Sequence, residues 1–266
     1  MDLHMMKYKI TDHNRFRVDS LAHQLEQVNE EIRDLVDEIK KGVDLAKELE
    51  LTILEKKGFF NNHMVAAVSV IHEAEKEIKD LKPQDISVLS LYENPPKGLE
   101  PLIRCYVYLL GGIVPQSVIE VDIMDSPIST DWKVCKKLLR NGKEFIEGLY
   151  QIKGRIEKFK MSHENMEYVK FIHIESFNEF ETIKTLSKTM FDLREFLQNI
   201  ISYYDLIVLA RENETDIERT TTQLEQTSTR LLQAEEEMNK LKEKSDEIYK
   251  ELDLATTKSS RFHRKF

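Results

Sequence analysis

Proline is missing from most of this chain: all six prolines fall between Pro83 and Pro127, and the long stretches on either side contain none. An interior proline costs a helix about 3 kcal/mol, so both flanks are free to form uninterrupted helix. Glycine is scarce too, at eight in 266 residues, while 33% of side chains are charged, a composition suited to extended helices. No apolar run approaches the roughly 20 residues needed to cross a bilayer. The amino terminus, with Asp2 and His4, lacks the apolar stretch of a secretory signal, and a cytosolic chain without membrane contact is expected. Two cysteines, Cys105 and Cys135, supply neither a disulfide framework nor metal-ligand spacing, so no metal site is expected. The phosphate-binding loop is also missing: Gly142-Lys143 has Lys137 where the first glycine of G-x-x-x-x-G-K-[ST] should stand. His63, His72, His163 and His173 have no paired cysteine or carboxylate signature. Neither catalysis nor a bound cofactor is expected of these residues.

What the flanks do contain is heptad spacing. Val18, Leu21, Leu25, Val28, Ile32, Leu35, Ile39, Ala46, Leu49 and Ile53 follow alternating steps of three and four, with Gly42 in one seam position. The pattern falters around Lys56, Gly58 and His63, then resumes in a shifted phase with Met64, Val68, Ile71 and Ile78. In the second arm Ile217, Leu224, Leu231 and Met238 recur every seven residues, with Thr221 and Ser228 expected in the seam between them. Such polar positions weaken packing and loosen register. The shortest way to bury both stripes is to fold one arm back on the other, although a parallel dimer of two chains meets the same requirement.

The expected architecture is all-α: a long intramolecular antiparallel coiled coil capped by a small helical bundle. Its segments are a non-heptad edge at 1–14, a first coiled-coil helix at 15–94, a compact module at 95–202, a second coiled-coil helix at 203–256 and a non-heptad edge at 257–266. The two edges read as the margins of a fragment or truncated product, with a natural short protein left open. Within the module, Pro83 and the Pro95-Pro96 pair break the incoming helix. Leu99, Leu102, Ile103, Tyr106, Val107, Leu109 and Leu110 predict a core helix that ends at Gly111-Gly112. Residues 113–130 read as a loop with a short extended pair around Val118 to Ile123. A helix capped by Thr130 or Asp131 follows, then helical pieces at Phe145 to Tyr150, Ile156 to Phe159 and Met166 to Ile172. A last helix is expected to start near Phe180 and run through Leu186 into the second arm without a break.

The net charge of −9 belongs to the arms, because residues 95–202 carry acidic and basic side chains in equal numbers. Inside the module, Lys133, Lys136, Lys137, Arg140, Lys143, Lys153, Arg155, Lys158 and Lys160 face only Glu144, Glu147 and Glu157. Such a patch steers a polyanionic partner. At this level a free-standing coiled-coil scaffold remains an alternative. Nucleic acid is a weaker candidate partner, since no aromatic-basic interleaving accompanies the patch.

Several short stretches narrow the choice. Pro83-Gln84-Asp85-Ile86 precedes Asn94-Pro95-Pro96; Leu109-Leu110-Gly111 closes the core helix; Asp131-Trp132-Lys133 leads to Lys137-Leu138-Leu139; and Leu186-Ser187-Lys188 precedes Phe196 and Tyr203. This ordered set, over about residues 18–255, resembles the stalk and microtubule-binding domain of dynein heavy chains. The resemblance implies docking on tubulin through the tip's first, third and sixth helices, with affinity set by sliding between two coiled-coil registers. It implies a microtubule-binding set of Lys97, Arg104, Lys133, Lys136, Lys137, Arg140, Lys188 and Arg194, and a stalk–tip junction at Pro95 and Pro96. ATP would be the cofactor of the parent motor only, and the rest of a dynein complex its further partner. The setting implied is the cytoplasm and cytoskeleton, extending to a cilium or flagellum axoneme because the long 112–130 segment resembles axonemal members. Departures lie at Leu99-Glu100 and Pro101, where a Val-Lys pair is common, and at Gln198, where a basic residue is common.

Overall fold

The computed structural model describes the backbone of residues 3–183 and 186–263 and the side chains of 15–183 and 186–257. Among these residues it is all-α. The helices are α1 (Leu3–Ile78), α2 (Pro83–Leu89), α3 (Leu99–Leu110), α4 (Trp132–Arg140), α5 (Gly142–Glu157), α6 (His163–Glu175), α7 (Phe177–Ile183) and α8 (Lys188–His263). Except for Thr257, the side chains of the two non-heptad edges lie outside the described residues. The chain forms two compact units, one from residues 1–56 and 216–266, the other from 57–215.

In the first unit α1 and α8 run antiparallel. Arg17 pairs with Glu251 at 3.4 Å, Ser245 donates to Asn29 Oδ1 at 3.2 Å, and Lys56 pairs with Asp216 at 2.6 Å, so numbers fall on α8 as they rise on α1. Lys56 also holds the Asp216 carboxyl below its usual range. Leu21, Val28, Ile248 and Ala255 are buried together, with Val18, Leu25, Ile32, Leu241 and Leu252 packed around them. The pairing that heptads allow within one chain or between two is intramolecular here. Gly42 takes in the end of Leu231: a Cβ at that glycine would lie 2.6 Å from Leu231 Cδ2.

The polar seam departs from expectation at Ser228. Thr220 is 8% exposed and Thr221 and Thr227 are half-buried, whereas Ser228 is exposed. The inward positions step by three, then four, from Ile217 through Thr220, Leu224, Thr227, Leu231 and Ala234. A run of similar hydroxyl residues gives no apolar contrast from which to read that phase. Their hydroxyls bond back to the carbonyls four residues earlier, Thr220 to Asp216 at 2.7 Å and Thr227 to Gln223 at 2.9 Å, which satisfies them without a partner across the seam.

In the second unit, the shifted phase of α1 is carried by Ala67 and Ala74 beside Ile71 and Ile78, while Val68 is 64% exposed. These α1 residues share one core with α3, so the module's packing reaches well before residue 95. Tyr106 on α3 is the centre of that core. Its ring lies 5.3 Å from Phe145 and 6.4 Å from Phe196, and its hydroxyl donates to the Leu193 carbonyl. Burial raises the Tyr106 phenol well above its ordinary range.

Three expectations about element limits need correcting. α5 is one helix from Gly142 to Glu157, joining pieces that the sequence separates. The extended pair is reduced to a single bridge between Val121 and Pro127. α7 ends at Ile183 and α8 begins at Lys188, although neither proline nor glycine intervenes. Phe180 and Ile183 are fully buried, and α7 is held beside Gly98, whose φ of 87° is open to glycine. A side chain there would meet the Glu179 carbonyl at 2.7 Å.

Candidate functional site

The cationic surface is built on α4. Asp131 caps the helix by accepting from Val134 N at 2.9 Å, and that bond holds its carboxyl below the usual range. Trp132, the only indole in the chain, donates from Nε1 to the Tyr92 carbonyl at 3.2 Å, tying α4 to the segment that leads into Pro95-Pro96. Cys135, Leu138 and Leu139 are buried. Helical periodicity then turns Lys133, Lys136, Lys137 and Arg140 to the opposite face. Lys133, Lys137 and Arg140 are exposed, Lys136 is half-exposed, and none of the four has an ion-pair partner among the described residues.

The remaining cations have different surroundings. Lys97 is exposed just before α3. Arg104, on α3, is half-exposed with its Nε buried and unpartnered. Its charge converges with those of Glu100 and Asp131 around Cys135, whose thiol burial pushes up to about 12. Lys188 opens α8 beside Glu77 and Asp192; burial raises both carboxyls and Lys188 pulls the other way. Arg194 does not reach the surface. It is 6% exposed and bonded to Glu181 at 3.0 Å and to Glu195, so the structure makes it an internal ion-paired group.

The local cation excess is smaller than the sequence suggests. Lys153 pairs with Glu75 at 3.3 Å and Lys143 with Glu147 at 3.7 Å. Arg155 is turned inward, donating to Asp125 Oδ2 at 2.6 Å and to the carbonyls of Gly111 and Lys160, both at 2.9 Å. Asn165, 1% exposed, completes this node by donating to the Asp125 carbonyl at 3.0 Å and accepting from Ser126 at 2.8 Å. Sequence reasoning missed the node, because no spacing rule connects residues 30 apart across a loop.

The histidines have no common role: His72 and His163 are exposed, and His63 and His173 are half-buried. His163 lies 3.0 Å from the Tyr204 hydroxyl, and His173 is lowered by burial and by the charge of Arg194. Among the described residues no cluster of three His, Cys, Asp or Glu is arranged to hold a metal, and no helix is long and apolar enough to cross a membrane. α4 thus presents four cations on the face opposite its buried side.

No family model matches the chain. Two curated proteins are similar to it. One is "Dynein heavy chain-like protein 2" of Plasmodium falciparum (isolate 3D7), 27% identical over 177 residues, covering 64% of this chain and 3% of that protein. The other is "Dynein alpha chain, flagellar outer arm" of Chlamydomonas reinhardtii, 24% identical over 154 residues, covering 58% of this chain and 3% of that protein. The chain thus resembles dynein heavy chains over about 60% of its own length and spans about 3% of theirs.

Proposed function

We propose that this dynein-related chain is a microtubule-docking stalk segment of an ATP-driven motor, with ATP hydrolysis belonging to other parts of that motor. The observation that carries the reading is the α4 ridge: four cations on one face, without ion pairs among the described residues, in a dynein-like sequence whose α1 and α8 pair antiparallel. Tubulin is acidic and would meet Lys133, Lys136, Lys137 and Arg140, with Lys97 and Arg104 contributing from the α3 side. Lys188 acts more weakly because Asp192 and Glu77 lie beside it. Pro95 and Pro96 form the junction through which a change in the arms redirects α3. The flagellar relative supports a cytoskeletal setting in an axoneme.

Microtubule cosedimentation tests this directly. Changing Lys136, Lys137 and Arg140 together to glutamate is expected to weaken binding at least about thirtyfold, roughly 2 kcal/mol. These side chains lie outside the core, so the helical circular dichroism signal should be preserved. Undiminished binding would remove α4 from the mechanism.

Register coupling has its own test. A disulfide between Asn29→Cys and Ser245→Cys fixes the observed register, and one between Asn29→Cys and Tyr249→Cys fixes α8 about one turn away. Cys105 and Cys135 are buried and should not interfere. The two locked forms are expected to differ about tenfold in microtubule affinity; equal affinities would refute the coupling.

A further inference from the structure

The outer face of α6 carries a row of three large apolar side chains among its glutamates, where solvent should favour polar residues. Asn165, Met166, Val169 and Ile172 point into the core. At 3.6 residues per turn, Phe171 lies directly opposite that face, with Tyr168 and Ile174 on either side. Their exposures are 59%, 46% and 74%, and Phe177, at the start of α7, is 50% exposed. The row is not loose: the Tyr168 ring stacks on Tyr108 with centroids 5.2 Å apart, which anchors α6 to α3. A row of exposed apolar side chains on an anchored helix is characteristic of an interaction surface.

Charge identifies what fits it. Glu164, Glu167, Glu175 and Glu179 are exposed around the strip. The cation on its flank, Lys170, is turned toward α8 and held by Glu167 at 2.9 Å and by Asp205 of α8 at 2.7 Å. The rim is therefore acidic around an aromatic and aliphatic centre. A second copy of the same face would bring carboxylates against carboxylates, and an anionic lipid surface would be repelled likewise.

We propose that the outer face of α6 docks an amphipathic helix with basic flanks. Its apolar row, spaced i, i+3, i+4 and i+7, would lie over Tyr168, Phe171 and Ile174, and its lysines or arginines would meet Glu164 and Glu175. This surface is separate from α4, which packs on α2, α3 and α5 rather than on α6.

The probe is a fluorescein-labelled leucine–lysine amphipathic peptide of about 18 residues, five turns of helix, titrated against the full chain by fluorescence anisotropy. Saturable one-to-one binding is expected. Phe171→Ser with Ile174→Ser should weaken it about tenfold or more, and Glu164→Gln with Glu175→Gln should weaken it and flatten its salt dependence. The glutamate triple variant of α4 should bind the peptide no less tightly, so failure of the microtubule reading leaves this result intact. Absence of saturable binding, or binding indifferent to Phe171 and Ile174, overturns the proposal. So does a dimer in analytical ultracentrifugation that Phe171→Ser dissolves, because a second copy would then occupy the face.

Discussion

Replacing Arg155 with alanine is expected to destabilise the 57–215 unit by about 3 kcal/mol, because it leaves a carboxylate and two carbonyls without their donor. The guanidinium makes three bonds, to Asp125, Gly111 and Lys160. Its side chain is 15% exposed while that of Asp125 is 44% exposed, so water offsets part of the loss and the effect falls short of a fully buried pair. Arg155→Lys keeps the charge but not the planar fork and should recover less than half of the stability. At roughly 3 °C per kcal/mol for a unit of this size, the alanine variant should melt about 10 °C lower by circular dichroism. An unchanged midpoint would mean that the node does not hold the loop.

Tyr106→Ala should cost more, about 4 kcal/mol, since it opens a cavity between α3, α5 and α8 where Phe145 and Phe196 meet. Tyr106→Phe separates the two contributions. It keeps the ring and removes only the bond to the Leu193 carbonyl, for an expected loss of about 1–2 kcal/mol. Urea denaturation of both variants measures the split. If phenylalanine were as damaging as alanine, the hydroxyl rather than the packing would be holding α8 against α3.

The sequence is most legible where one residue type recurs with a fixed period. Val18, Leu21, Leu25, Val28 and Ile32 turn inward as their spacing requires, and Asp131 caps α4 because its side chain needs only its own backbone three residues on. Legibility falls where a distant partner decides. Arg155 and Arg194 look like surface cations until Asp125 and Glu181 are placed beside them. The break between α7 and α8 is only weakly signalled: neither proline nor glycine intervenes, and Ser187, the residue before α8, is one hydroxyl side chain among several nearby. Ser228 on α8 and Val68 on α1 are exposed where Thr227 and Ala67 turn inward, for a related reason: small or hydroxyl side chains hardly distinguish neighbouring positions.

The bond from Trp132 to Tyr92 gives the protein an optical reporter of its own. The chain has a single indole, half-buried at the start of α4 and anchored to the segment that leads into Pro95-Pro96. Any shift of that segment against α4 changes both the polarity around the ring and the partner of its N–H. Emission colour at this one residue therefore reads the junction itself, in the unlabelled chain and in real time.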